Sequence, residues 1–362
     1  MAADHVLDPR GEVILVVRNP NAPLAQPINE EPVSAKPPVT AAKRTESSAE
    51  RPTKRAKISS ETSDASTHSK PDDRNPKEIR IQVSAKHLSV GSPVFDRMLY
   101  DGWKEGKEFK DKGSIELEVD NCDIEALLVV LYILHSRLHQ VPHKLNVEQL
   151  AKIAVVADYY DCQSLMFFSP IWLGGLKGEQ VPAAFSRDLV VWIWVSFYFR
   201  WGDTFENATR KCIECCPGPI SSFGLPIPKS IIDAMNKNRC MAVGEVISMI
   251  CEARRCLLEE FPSPILSTCY PLVLGMLMHY MQKHALPLTQ PGLPYNGITC
   301  KEIEKVYHGW QQHLSDMRKS GRQEHWCEKC TNVAYFVLDD FLEPIDGLML
   351  FHYTTTSAQP LD

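Results

Sequence analysis

The fold of this chain is decided by Ser84-Ala85-Lys86-His87-Leu88-Ser89-Val90-Gly91-Ser92-Pro93-Val94-Phe95-Asp96-Arg97-Met98-Leu99. Phe95, Met98 and Leu99 recur at i, i+3 and i+4, which sets them on one helical face. Ser92-Pro93 opens that helix, with Ser as the cap and Pro at the first position, where its missing N–H costs nothing. Upstream, Ile79-Arg80-Ile81-Gln82-Val83 alternates apolar and polar residues, and downstream Ile115-Glu116-Leu117-Glu118-Val119 does the same. Both read as strands.

Working further outward, Glu12-Val13-Ile14-Leu15-Val16-Val17 is a continuous, largely β-branched run, as suits a strand buried on both faces. The turn Asp8-Pro9-Arg10-Gly11 leads into it. From Asn19-Pro20 to about Lys77 the chain is rich in Pro, Ser, Thr, Ala, Lys and Glu and almost lacks large apolar residues. Such a stretch buries too little surface to offset its ordering entropy, so it reads as a disordered insert. Loop closure grows only logarithmically with length, so an insert between two paired strands is tolerable. After the third strand, Asp120-Asn121-Cys122-Asp123 supplies cap chemistry for a helix with Ile124, Leu127, Leu128, Leu131 and Tyr132 on one face. Asn146 caps another, with Leu150, Ile153, Ala154 and Ala157 inward.

A strand, then a His87-Leu88-x-x-x-Ser92-Pro93-x-Phe95 helix pair, then an acidic strand resembles the start of a BTB/POZ domain. His87, Leu88, Ser92, Pro93, Phe95, Met98 and Leu99 carry that core signature. Ala157-Asp158-Tyr159-Tyr160-Asp161-Cys162 resembles the helix-to-helix turn of the same family. The resemblance implies an α+β BTB/POZ fold, a short sheet flanked by helices, in which the first two strands form a hairpin that here holds the long insert. It divides the chain into a first strand in 1–18, the insert in 19–77 and the remainder of the BTB-like domain in 78–172. An all-α C-terminal domain in 183–345 and a tail in 346–362 follow. Gly174-Gly175-Leu176-Lys177-Gly178 marks the boundary. Beyond it the pattern predicts helices over 187–201, 204–216, 229–236, 243–260, 264–284, 301–320 and 334–342. Asp188-Leu189-Val190-Val191-Trp192-Ile193-Trp194, Gly218-Pro219-Ile220 and Gly224-Leu225-Pro226-Ile227-Pro228 resemble the helical region behind the BTB domain in fungal proteins, which implies no activity.

Totals bound the remaining choices. A chain of 362 residues with 44% hydrophobic content has ample material for two or three cores. A net charge of -6 argues against nucleic-acid binding over the whole surface. Ala2-Ala3-Asp4-His5 is not a secretory signal, so the twelve cysteines are expected as free thiols in a reducing compartment. Leu189–Phe199 and Ile265–Met281 are apolar, but one is too short to span a membrane and the other is interrupted by Pro271 and His279. No membrane association is expected.

Four features carry candidate chemistry. Lys43-Arg44 and Lys54-Arg55-Ala56-Lys57, nine residues apart, suit the two acidic pockets of a nuclear import receptor and predict a nuclear, or nuclear and cytoplasmic, protein. The bland alternative is a solvated charge run. The segment lacks interleaved aromatics, so any nucleic-acid binding there would be sequence-blind. Trp103-Lys104-Glu105 matches, residue by residue, the hydrophobic-x-Glu motif by which cullin-binding BTB domains hold their ligase, although an aromatic after a helix packs more often on its own domain. His325, Cys327 and Cys330 have half the spacing of a structural zinc site, with His308 and His313 upstream, and Cys212-x-x-Cys215-Cys216 is a weaker one that equally suits a buried thiol face. No phosphate loop, nucleophile elbow or metalloprotease helix is present, and Trp192, Trp194 and Trp201 read as core. The sequence therefore predicts a non-enzymatic protein-interaction module without a cofactor, a nuclear scaffold or co-regulator. A cullin adaptor and a zinc-stabilised helical module are the alternatives.

Overall fold

Val13, Leu15, Val16 and Val17 are all buried, as a strand covered on both faces requires. They belong to β2 (Val13–Arg18), the centre of a sheet in the computed structural model, which describes residues 3–21, 23–24, 78–101, 104–120, 122–259, 269–289, 291–319 and 345–354. Strand β1 is His5–Val6, β3 is Ile79–Val83 and β4 is Ile115–Asp120, in the spatial order β1-β3-β2-β4. β2 and β3 are antiparallel with Val13 opposite Val83, whereas β4 runs parallel to β2 with Val13 opposite Ile115. The two-residue β1, too short to show alternation in sequence, adds to β3 in parallel. Gly11 passes so close to β3 that a Cβ there would lie 2.3 Å from the Val83 carbonyl oxygen, so the turn into β2 excludes any larger residue.

β4 alternates inward Ile115, Leu117 and Val119 with outward Glu116, Glu118 and Asp120. On the outer face Arg18 bridges Glu78 (3.3 Å) and Glu118 (2.8 Å), and Arg80 holds Glu116. The two Arg18 rungs are exposed enough that each contributes less than about 1 kcal/mol, whereas the Arg80 side chain is mostly buried.

Between β3 and β4 lie α1 (Ala85–Gly91), α2 (Pro93–Tyr100) and α3 (Lys104–Lys112). After β4 come α4 (Ile124–Leu134) and α5 (Val147–Tyr159), then α6 (Ser169–Gly175). The caps are those expected. Asp123 accepts from the Ala126 N–H at 3.0 Å, and Asn146 and Gln149 form a reciprocal capping box. His135, at the end of α4, accepts the Ser84 N–H on Nε2 (3.0 Å) and so carries its proton on Nδ1, which donates to the Leu131 carbonyl (2.9 Å). It joins α4 to the β3–α1 junction.

The remaining described helices are α7 (Arg187–Tyr198), α8 (Gly202–Cys215), α9 (Lys229–Glu259), α10 (Cys269–Lys283), α11 (Cys300–Lys319) and α12 (Phe351–Thr354). Every residue of α7 from Leu189 to Ser196 is buried, the mark of a helix enclosed on all sides. It packs on α5, where Trp194 Nε1 donates to the Ala151 carbonyl (3.3 Å). One buried cluster therefore runs from Leu7 to Met235 without a break at the Gly174–Gly178 turn. Trp192, Trp194 and Trp201 belong to it. Among the described residues no helix is long and apolar enough to cross a membrane. The expected helix over 334–342 lies outside the described residues. The insert expected from residue 19 is corrected at its start, because Asn21 and Leu24 are hydrogen-bonded to the domain. Beyond residue 24 the insert lies outside the described residues.

Two expected helices prove to be one. The pattern over 229–236 and 243–260 is interrupted by Asn236-Lys237-Asn238-Arg239, which resembles a polar loop, yet α9 runs through it for 31 residues. The reason is Arg239, fully buried, whose Nε donates to the Cys216 carbonyl (2.8 Å). Its Nη1 donates to the Pro294 carbonyl (2.7 Å), and Nη2 to those of Tyr295 (2.8 Å) and Ile298 (2.9 Å). Asn236 adds a two-way bridge to the backbone of Ile220. A second core, from Val243 to Trp310, begins one turn beyond Arg239.

Two predictions follow from these buried polar groups. Arg239→Lys keeps the charge but loses the planar fork, and it is expected to cost about 3 kcal/mol or more, read as a lower urea midpoint at unchanged slope. A loss under about 1 kcal/mol would show that the carbonyls do not depend on the guanidinium. Burial lowers the pKa of His135 below its ordinary 6.5, opposed by the Leu131 carbonyl and Asp8 and reinforced by His87 and Arg137. The unfolded chain then binds the proton more readily, so this stabilisation is complete above pH 6.5 and fades as pH falls below it, by at most about 1.4 kcal/mol per unit. Urea unfolding at neutral pH and below 6 should show that slope in the wild type and its reduction in His135→Asn. Equal slopes in the two proteins would remove His135 as the cause.

Candidate functional site

The sequence signature builds one wall of a cleft. Ser92, buried, accepts the Phe95 N–H on Oγ (3.1 Å) and donates to the Tyr160 carbonyl (2.5 Å). Phe95 stacks on Tyr160 with ring centroids 4.2 Å apart and planes within 8°. Leu88 and Leu99 are buried beneath, Pro93 is the first residue of α2, and His87 is exposed with its ring stacked 5.0 Å from His135. Met98, one helical step beyond Phe95, is half-buried and faces the cleft.

The opposite wall is α5. With Leu150, Ile153, Ala154 and Ala157 turned inward, Lys152, Val155 and Tyr159 fall on the far face of the helix. Tyr159 is 72% exposed, a large aromatic with no core to enter. The end of β4 and the turn after it close the base with Val119 and Cys122, while Leu24 lies at one side. Leu24 is held by Arg187, which donates to its carbonyl (2.8 Å) and grips Glu148 with two hydrogen bonds (2.7 and 2.8 Å). Asn21 fastens the same segment, donating its N–H to the Cys122 carbonyl and accepting the Ile124 N–H on its side chain.

The enclosed space is about 300 Å³, at the small end of ligand-sized pockets. Its interior is apolar except for the Cys122 thiol and Tyr160. Burial pushes the Cys122 thiol up to about 12, so no thiolate is available there, and burial likewise raises the Tyr160 phenol. At the mouth stand Glu118, Asp120 and an Asp123–Lys152 ion pair (2.8 Å), whose hydrogen bond raises the lysine pKa. Such a site can bind but has no activated nucleophile among its described groups.

Of the expected site residues, Met98 alone lines this cleft, with Ser92 and Phe95 behind it against Tyr160. Glu105 is half-buried in the first turn of α3, outside the cleft lining. Trp103, the basic clusters Lys43, Arg44, Lys54, Arg55 and Lys57, and the metal candidates His325, Cys327 and Cys330 all lie outside the described residues. The weaker zinc spacing at Cys212, Cys215 and Cys216 is corrected. Cys212 and Cys216 are buried thiols whose pKa values rise through desolvation, and among the described residues no group of three or more His, Cys, Asp or Glu is placed to hold a metal. Sequence reasoning missed Tyr159, Tyr160, Lys152 and Asp120. The phase of α5 carried the signal for the first and third, since both lie about half a turn from Leu150.

Comparison of the chain with protein-family models, with curated proteins and with solved structures returned no match.

Proposed function

We propose that this chain is a non-enzymatic protein–protein interaction module with a BTB/POZ-like fold, working as a nuclear scaffold or co-regulator, with the α2–β4–α5 cleft as its partner surface. What supports the fold reading is the order of elements: an antiparallel β2–β3 hairpin, a helix pair joined at Ser92-Pro93, and an acidic strand parallel to the first. What supports the partner surface is Tyr159, an exposed aromatic beside an apolar cavity, the arrangement in which a few side chains carry most of a binding energy. The basic clusters at Lys43-Arg44 and Lys54-Arg55-Ala56-Lys57 supply the nuclear address in this reading.

A second reading, adaptor of a cullin ubiquitin ligase, is favoured by α3. Gly106 sits so tightly on α2 that a Cβ would lie 3.0 Å from the Leu99 carbonyl oxygen, which sets Glu105 directly behind the helix pair. That is where the resembled family carries its hydrophobic-x-Glu motif.

Affinity purification of the tagged full-length chain should yield a defined partner set that the doubly substituted Met98→Ala/Tyr159→Ala variant loses by about 10-fold or more, with thermal unfolding unchanged. An identical set from both proteins removes the cleft as partner surface. A cullin lost on Trp103→Ala/Glu105→Ala would make the adaptor reading the right one. Microscopy of a fluorescent fusion should show nuclear enrichment that Lys54→Ala/Arg55→Ala/Lys57→Ala abolishes, and an unchanged nuclear share would sink the import reading.

A further inference from the structure

The cleft combines three features that together specify an occupant. Its floor is apolar, with Val119, Cys122 and Val156 buried and Met98 and Val155 half-buried, and its volume of about 300 Å³ suits one large side chain. Tyr160 lines it and is only 5% exposed, yet its hydroxyl is not one of the fully buried polar atoms and has no hydrogen-bond partner among the described residues, so it opens onto the cleft. A hydroxyl turned to open space can bond to a group that enters beside it. At the mouth the four charged lining residues are three carboxylates and one lysine. Lys152 is spent on Asp123, and Glu118 is held by Arg18 at 2.8 Å. Asp120, exposed at the end of β4, has no side-chain partner among the described residues.

We infer that the cleft takes a segment of a partner protein in which a large apolar or aromatic side chain is followed closely by Lys or Arg. This rests on the reading of the cleft as a partner surface and adds the chemistry of the partner. The anchor fills the cavity beside Tyr160, with a backbone or side-chain group of the segment completing the phenol's hydrogen bond. The cation meets Asp120, where an exposed pair contributes selectivity and association rate more than affinity. An acidic segment is repelled by the same rim, and so is a phosphate backbone.

Fluorescence anisotropy with the full-length chain tests this with three labelled peptides, Gly-Ser-Phe-Lys-Arg-Gly-Ser, Gly-Ser-Ala-Lys-Arg-Gly-Ser and Gly-Ser-Phe-Glu-Glu-Gly-Ser. The first should bind at least about 10-fold more tightly than either of the others. Asp120→Asn should cut its preference over the acidic peptide several-fold at low salt, and Tyr160→Phe, which keeps the stack on Phe95, should weaken the first peptide with unfolding unchanged. Equal binding of the basic and acidic peptides overturns the inference. So does no binding of any peptide while partner capture still depends on Met98 and Tyr159, a result that leaves the proposed function standing. Binding of the first peptide only after deletion of residues 25–77 would make the chain's own segment the occupant and overturn the assignment to a partner.

Discussion

One buried hydroxyl fastens the two walls of the cleft. Ser92 Oγ starts α2 by accepting the Phe95 N–H, and at the same time donates to the carbonyl of Tyr160 at the end of α5. As a cap it contributes about 1 kcal/mol, and because the site is dry its second bond is one that water cannot replace. The stack of Phe95 on Tyr160 lies directly over this knot. Met98 follows Phe95 by one helical step and Tyr159 precedes Tyr160, so the spacing of the walls is set within a few residues of chain on each side. The signature serine is thus a structural residue whose consequence is the spacing of the cleft walls.

A different constraint governs the helical half. Arg239 is a fully buried charge without a carboxylate partner among the described residues, held by four backbone carbonyls from two loops. Carbonyl dipoles can hold a guanidinium because its planar fork presents donors in several fixed directions at once. The cost of desolvating the charge is offset only while both loops stay in place, which makes the loops, and not the helix alone, part of the arrangement. Since Met235 lies in the first core and Val243 in the second, the arginine sits at the joint between them. Tyr295 also lies across Gly244, where a Cβ would come within 2.8 Å of its hydroxyl. α9 is therefore a single rod on which both cores are built, and the Gly174–Gly178 turn is a change of composition rather than a gap in packing.

What could be read in advance was what is local. Ser92, Asp123 and Asn146 act as caps because a cap needs only its own next three residues, and β3 and β4 show the period-two alternation of a half-buried strand. The burial of α7 was legible from its unbroken apolar run. α9 was misread because the partners that turn Asn236-Lys237-Asn238-Arg239 from loop into helix lie up to 59 residues away. α3 offered no periodicity, since Phe109 is its one large apolar residue. The cleft falls between these cases. Its α5 face was implicit in the helical phase, whereas the approach of Leu24, Asp120 and Met98 to that face is tertiary and has no local signature.

The charge on β4 joins the sheet to the cleft. Its outer face and the start of β3 present Glu78, Glu116, Glu118 and Asp120 against two arginines, Arg18 and Arg80. Register sets Asp120 opposite Arg18, yet the guanidinium lies on Glu78 and Glu118, so the surplus negative charge collects at the cleft end of the strand. An arginine that already bridges two carboxylates gains little by moving to a third, because each exposed pair is weak and the move would release two others. A cation arriving from outside meets no such trade at Asp120, and its attraction extends over about 8–10 Å at physiological salt. The same strand that builds the core with Ile115, Leu117 and Val119 therefore leaves surplus negative charge at the mouth of the cleft.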